Sequence, residues 1–192
     1  MVTKTNRNCV VTSTNPSDDA NRWFFYVVYG SNSYTTRKLV LRNAEFSHNG
    51  NSGSSNYYGV VLRSDLGRTD TEREIRGCVF RDGWDLDRNG FWIYSLYYTH
   101  TRNCIFYKTK HGANLYDSTA SSIYNCFSIG NISAAYRPEH MYFANQFQYN
   151  IGLNTAYAYL CYSDYTAKYY KTQNIFKHLY YGPLVDAVCY AG

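Results

Sequence analysis

The chain has no apolar stretch approaching the roughly 18–20 residues that a bilayer-spanning helix needs, and no N-terminal positive run followed by apolar residues. A spanning helix is excluded, and such a beginning fits a cytosolic protein, a mature chain or an excised segment. Charge is scarce: 17% of residues are charged, so the mean hydropathy of −0.49 is carried by Asn, Ser, Thr and Tyr. The net charge of +5 permits an anionic partner. No run of Lys or Arg concentrates that charge along the sequence, however, which disfavours nucleic acid. None of the six cysteines forms C-x-x-C or has His at metal-finger spacing, which removes a structural zinc site.

What the chain does have is repetition. One short pattern occurs as Ile75-Arg76-Gly77-Cys78-Val79-Phe80, Thr101-Arg102-Asn103-Cys104-Ile105-Phe106 and Ile123-Tyr124-Asn125-Cys126-Phe127-Ser128. A plain strand keeps one face at every second residue, so an inward position three residues after the last marks a corner between two short strands. Asn and Gly enter the left-handed region at least cost. That makes Asn8, Asn43, Gly77, Asn103 and Asn125 the expected structural corners, with Asn8-Cys9 and Asn43-Ala44 as earlier copies. Weaker copies at Ala144-Asn145 and Gln173-Asn174 extend the series, with the position after the corner spaced by 35, 34, 26, 22, 19 and 29 residues. Periods of this size mean a solenoid.

A second strand follows each corner, at Gly59–Ser64, Gly90–Ser95 and Gly112–Asp117. Its alternation turns Val60/Leu62, Phe91/Ile93 and Ala113/Leu115 inward. The fold class predicted is all-β, a right-handed parallel β-helix of about six to seven coils, one domain over residues 1–192 and a candidate segment of a larger chain. At ~4.8 Å per coil the rod is roughly 34 Å long. Cys78, Cys104 and Cys126 form an inward column of core thiols, with disulfides as the competing reading. Neither end shows a sequence cap. Open β-helix ends present unpaired backbone, so self-association or a neighbouring domain is expected there.

Twenty-three tyrosines are too many for one narrow core, so the outer wall is expected to be aromatic. Arg63, Tyr94 and Tyr116 stack outward with Trp92 beside them, a cation among ring faces on which sugar rings pack, and this column is the predicted glycan-binding surface. The competing reading is that outward Tyr simply favour strands and stack on one another. Asp85-x-Asp87-x-Asn89-Gly90 opens like a calcium loop, but the twelfth position is Leu96 where an EF-hand needs Glu. The expectation is therefore a polar loop and no cofactor, with calcium at Asp85, Asp87 and Asn89 the weaker alternative. Asn131-Ile132-Ser133 is a glycosylation acceptor sequence expected at an exposed position.

The run from Glu72 to Asn131 resembles the β-helix region of the fibrocystin and cell-surface hyaluronidase family, in which a G8 domain precedes the repeats. The residues that carry this are Ile75 to Trp84, Asn89-Gly90, Asn103-Cys104, and His111-Gly112 followed by Leu115-Tyr116-Asp117. The resemblance implies the fold and an extracellular or cell-surface setting. It does not carry over the hyaluronan-degrading activity, because the outward His positions of the active members read Val60 to Arg63 and Ile93 to Ser95 here.

The function expected is therefore non-catalytic: structural assembly, glycan adhesion or both. Two alternatives stand beside it. One is a polysaccharide lyase or hydrolase, for which Asp82, Lys110, His111 and Asp117 are the catalytic candidates, since such chemistry needs paired carboxylates or a base beside a cation. The other is a phage or viral fibre on the virion that binds host glycans.

Overall fold

The computed structural model describes residues 9–12, 25–29, 39–48, 60–64, 73–83, 91–94, 98–116, 119–139, 145–159, 169–172 and 174–177. In chain order the strands begin with β1 (Cys9–Thr12), β2 (Phe25–Tyr29), β3 (Leu39–Arg42), β4 (Ala44–Ser47), β5 (Val60–Ser64), β6 (Arg73–Arg76) and β7 (Val79–Arg81). Next come β8 (Phe91–Tyr94), β9 (Thr99–Arg102), β10 (Ile105–Tyr107), β11 (His111–Tyr116), β12 (Ser122–Tyr124) and β13 (Phe127–Ile129). The series ends with β14 (Ala134–Glu139), β15 (Asn145–Gln148), β16 (Ile151–Leu153), β17 (Tyr157–Tyr159), β18 (Tyr169–Thr172) and β19 (Ile175–Lys177).

Every strand pairs in parallel with the third strand after it, which sorts them into three sheets. Sheet A holds seven strands from β1 to β19, sheet B six from β2 to β17, and sheet C six from β3 to β18. Among the described residues there is no helix and no closed barrel, as an all-β reading of the repeat requires. At the described corners a strand of sheet C and the next strand of sheet A are separated by one or two residues, and a left-handed bend there sends the second strand into another sheet. Each pairs with the third strand after it.

The corners are where the repeat placed them. Asn43, Gly77, Asn103 and Asn125 have φ of 52°, 63°, 54° and 50°. Their amides stay paired through the bend, donating to the carbonyls of Arg76, Arg102, Tyr124 and Gln148 respectively. This satisfies backbone groups that a buried corner would otherwise strand. Asn125 Nδ2 also donates to Asn103 Oδ1 at 2.9 Å. A second left-handed column, absent from the sequence reading, follows sheet A at His48, Asp82, Lys108, Gly130 and Asn154, with φ from 49° to 63°. Asn8 lies outside the described residues.

The sixth copy of the repeat is corrected. Ile151 is the register partner of Phe127, so the residue equivalent to Cys126 is Asn150, not Asn145, and the corner is Tyr149, at φ 56°. Asn145 instead lies in sheet C as the partner of Tyr169. A tyrosine at a left-handed corner escapes a search for Asn or Gly. The copy at Asn174 keeps its place, since Ile175 pairs with Ile151.

Inside, matched positions stack. Phe46, Phe80 and Phe106 of sheet A lie at centroid distances of 5.3 and 5.4 Å with interplanar angles of 6° and 12°, and Phe91 of sheet B tilts onto Phe80 at 4.5 Å. The next two positions of that column are Ser128 and Gly152. Tyr136 of sheet B fills the space they leave, edge-on to Phe106 at 6.5 Å, with its hydroxyl donating to the Cys126 carbonyl at 3.1 Å. Val60, Leu62, Phe91, Ala113 and Leu115 are fully buried, as the alternation predicted.

Cys78, Cys104 and Cys126 form the inward column and are free thiols, all buried. The neighbouring Cys104 thiol, with burial, pushes the Cys78 thiol far up, and the Cys126 thiol does the same to Cys104. Each thiol lies within donating reach of the carbonyl two residues before it. These thiols are small apolar packing groups. Beyond Cys126 the column changes to asparagine: Asn150 Oδ1 accepts from the Cys126 amide and its Nδ2 donates to the Ile123 carbonyl, both at 2.9 Å. Asn174 repeats the arrangement on Asn150 and Phe147.

Two glycines are required for different reasons. Gly77 supplies a left-handed φ, and a Cβ there would meet only the movable end of the Asn43 side chain, at 2.6 Å. A Cβ on Gly112 would lie 2.2 Å from the Ala135 carbonyl oxygen and 2.3 Å from Ser128 Oγ. Gly112→Ala is therefore expected to lower the unfolding free energy by about 2 kcal/mol or more, and Gly77→Asn by less than about 1 kcal/mol. Urea denaturation of the two variants checks the contrast.

Candidate functional site

In a parallel stack, matched register makes columns on the outside as well as in the core. Outward positions of sheet C form two. One runs Arg42, Arg76, Arg102, Tyr124, Gln148, and the other Val40, Glu74, His100, Ser122, Gln146. Three arginines thus stand on successive strands at ~4.8 Å steps, although they are far apart in the chain. Like charges in register repel, and the only acid at the described positions of the two columns is Glu74.

Glu74 lies between two of these arginines. Arg42 donates to Glu74 Oε2 through Nε at 3.0 Å and through Nη2, while Arg102 Nε is 3.4 Å from Glu74 Oε1. The hydrogen bond from Arg42 holds the Glu74 carboxyl below its ordinary value, against the opposing effect of burial. One carboxylate against three guanidiniums leaves a positive wall, and all three arginines keep substantial exposure. Towards the other end the wall becomes aromatic: Tyr124 and Tyr149 are exposed and meet edge to face at 5.2 Å. This surface was not found from the sequence, although its signal was present as Arg in second place in Leu41-Arg42-Asn43, Ile75-Arg76-Gly77 and Thr101-Arg102-Asn103.

The predicted glycan column lies on sheet B. Arg63, Tyr94 and Tyr116 occupy one register position on β5, β8 and β11, and Trp92 shares the neighbouring position with Asn114. The structure brings these backbone positions together as the repeat implied.

The catalytic candidates are dispersed or engaged. Asp82 is a left-handed corner residue whose carboxylate pairs with Arg81 at 2.5 Å, and Arg81 also holds Glu45 at 2.7 Å. Lys110 is half-buried just before β11, and its carbonyl accepts from the Ser133 amide. His111 is a fully buried strand residue with Nε2 3.3 Å from Arg137 Nη1. Burial first, then the charges of Arg137 and Lys110, lower its pKa well below the ordinary imidazole value, so the ring is neutral. Asp117 lies outside the described residues, as do Asp85, Asp87 and Asn89. Among the described residues no group of three or more His, Cys, Asp or Glu could hold a metal ion.

The acceptor Asn131 requires correction. It is 1% exposed rather than presented at the surface, because its Oδ1 accepts from the Thr109 amide and hydroxyl and its Nδ2 donates to Ser128 Oγ. In the folded chain that amide clamps the segment before β14 to the segment before β11.

Glu74 gives a pH prediction. A depressed folded pKa contributes stability that is complete above the unfolded value of 4.5 and is lost as pH falls through the lower folded value. Glu74→Gln lacks this contribution. The stability gap between the two proteins should be at most about 1 kcal/mol near neutrality, since Arg42 and Arg102 are half in solvent, and it should close below the ordinary carboxylate range. Thermal melts from pH 7 to pH 3 measure it. Comparison with protein-family models, with curated proteins and with solved structures finds no match to this chain.

Proposed function

We propose that the three sheets are the walls of a right-handed parallel β-helix, and that the chain is a non-catalytic extracellular or cell-surface scaffold holding an anionic polysaccharide along the outer face of sheet C. The observation that carries this reading is the in-register column of Arg42, Arg76 and Arg102 leading into Tyr124. A fold that keeps like charges side by side on an exposed wall, with one carboxylate to offset them, gains when a repeating anion lies across them. Arginine suits the task, since its planar fork takes two acceptor oxygens of a sulfate or carboxylate at once. Tyr124 and Tyr149 extend the same wall with exposed ring faces for sugar packing. The extracellular setting rests on the resemblance of residues 72–131 to the fibrocystin and cell-surface hyaluronidase β-helix.

The test is titration of the folded chain with a sulfated oligosaccharide, a neutral one of equal length and a single-stranded DNA of equal charge, at several salt concentrations. The sulfated glycan should bind and the neutral one should not. Arg76→Ala should weaken binding by roughly fivefold or more and reduce the salt slope by roughly one unit. Affinity unchanged in Arg76→Ala and Arg102→Ala would remove the reading, and tighter binding of the DNA would replace the partner class.

Assembly is a second reading, favoured by the outer face of sheet A. There one column runs Val10, Glu45, Val79, Ile105, Phe127, Ile151, Ile175. Val10, Ile105 and Ile175 are 51%, 41% and 52% exposed. The parallel column carries Tyr107, Ile129 and Leu153. From Ile105 onward these two columns are apolar or aromatic as far as Ile151 and Leu153, and an apolar wall of this kind marks an association surface. Sedimentation should show concentration-dependent self-association that Ile105→Glu abolishes, whereas a monomer at all concentrations would count against it.

A further inference from the structure

The arginine wall of sheet C carries its own anion, and the place of that anion decides which part of the wall a ligand can take. Glu74 stands in the column beside the arginines with its side chain only 11% exposed. Its hold on them is unequal. Arg42 donates to Oε2 through two of its nitrogens. Arg102 Nε comes no nearer to Oε1 than 3.4 Å, long for a charge-assisted hydrogen bond, which settles at ~2.7–2.9 Å. Arg76 lies in register between the two, is exposed, and forms neither a hydrogen bond nor a close ion pair with Glu74. Beyond Arg102 the next position is Tyr124, whose exposed ring meets the exposed ring of Tyr149. Charge is therefore closed at Arg42 and open at Arg76 and Arg102, and the open part borders the ring faces.

We propose that Glu74 is a built-in competitor for the ligand's anion and gives the wall a direction. One sulfate or carboxylate of a glycan lies across Arg76 and Arg102, the adjoining uncharged ring lies on Tyr124 and Tyr149, and Glu74 keeps a second anion off Arg42. This rests on the reading of sheet C as a glycan wall and narrows its ligand to a disaccharide unit charged at one end. From Arg76 to Tyr124 is two register steps, ~10 Å, a span that two sugar rings of an extended chain cover. The order of contact strengths supports the assignment. An incoming anion displaces Glu74 readily from Arg102, where the contact is long and the guanidinium side chain is 41% exposed. Taking Arg42 instead breaks a contact through two nitrogens and leaves a largely buried carboxylate without its main partner, which is costly.

The test is NMR titration of the full chain, native and Glu74→Gln, with lactose, lactose sulfated on one ring and lactose sulfated on both. The native chain should ignore the neutral sugar and bind the two sulfated ones within about twofold of each other, with saturable shifts at Arg76, Arg102 and Tyr124 and none at the Arg42 side chain. In Glu74→Gln the doubly sulfated sugar should bind roughly fivefold tighter than the singly sulfated one, the weight of one half-exposed charge pair, and shifts should reach Arg42. Adding Arg42→Gln to that variant should remove the preference. The competitor role is overturned, while the glycan wall stands, if the native chain already prefers the doubly sulfated sugar by that factor or if Glu74→Gln gains no preference. If neither sulfated sugar binds either protein, the glycan wall falls and this inference with it.

Discussion

Everything in this chain depends on one pairing rule, that each strand bonds in parallel and in register to the third strand after it. Once register is set, position along a strand becomes position in a column, and residues dozens of places apart in sequence become neighbours at a fixed step. A phenylalanine repeated at one phase becomes a stack, a cysteine repeated at one phase becomes a buried thiol column, and an arginine repeated two places before it becomes a charged wall. Core and surface thus obey the same constraint, which is why a single short repeat organises both.

The constraint also explains how the chain tolerates change along its length. When the column behind the corner switches from Cys to Asn at Asn150, its amide caps the Cys126 and Ile123 backbone, so hydrogen bonding replaces the close packing of thiols. Where Ser128 and Gly152 leave sheet A too thin, Tyr136 crosses from sheet B and ties its hydroxyl to the Cys126 carbonyl. Losses on one wall are offset on another at the same level, as close-packed interiors demand. Outside the core no such compensation is forced, and there the Arg42–Arg76–Arg102 column stands out.

Much of the fold was legible because corner chemistry is local. Gly77, Asn103 and Asn125 announce their left-handed bends by residue type, and the alternation at Val60/Leu62 or Ala113/Leu115 shows which face is buried. Tyr149 was missed because tyrosine pays a steric penalty at a left-handed corner, so its place is fixed by register rather than by its own preference. The second bend column mixes His48, Asp82 and Lys108 with Gly130 and Asn154, so no single residue type marks it in the sequence. The outer surface was less legible. Arg42, Arg76 and Arg102 form no run in the sequence, and only their shared position relative to the corners tells that they converge. Burial of His111 and Asn131 depends on residues distant in sequence, which no local pattern reveals.

The central claim, that the strands of sheet A stack in register, is tested most directly by a distance. Val10 and Ile175 occupy the first and last described strands of one outward column, both exposed, and are separated by six register steps. Spin labels placed there through a ketone-bearing amino acid, which leaves the native thiols untouched, can be read by double electron–electron resonance. The account predicts one narrow distance near ~29 Å, six steps of ~4.8 Å, broadened only by the label arms. A broad distribution, or a single distance far from that value, would contradict the in-register stack and with it the columns on which the functional reading rests.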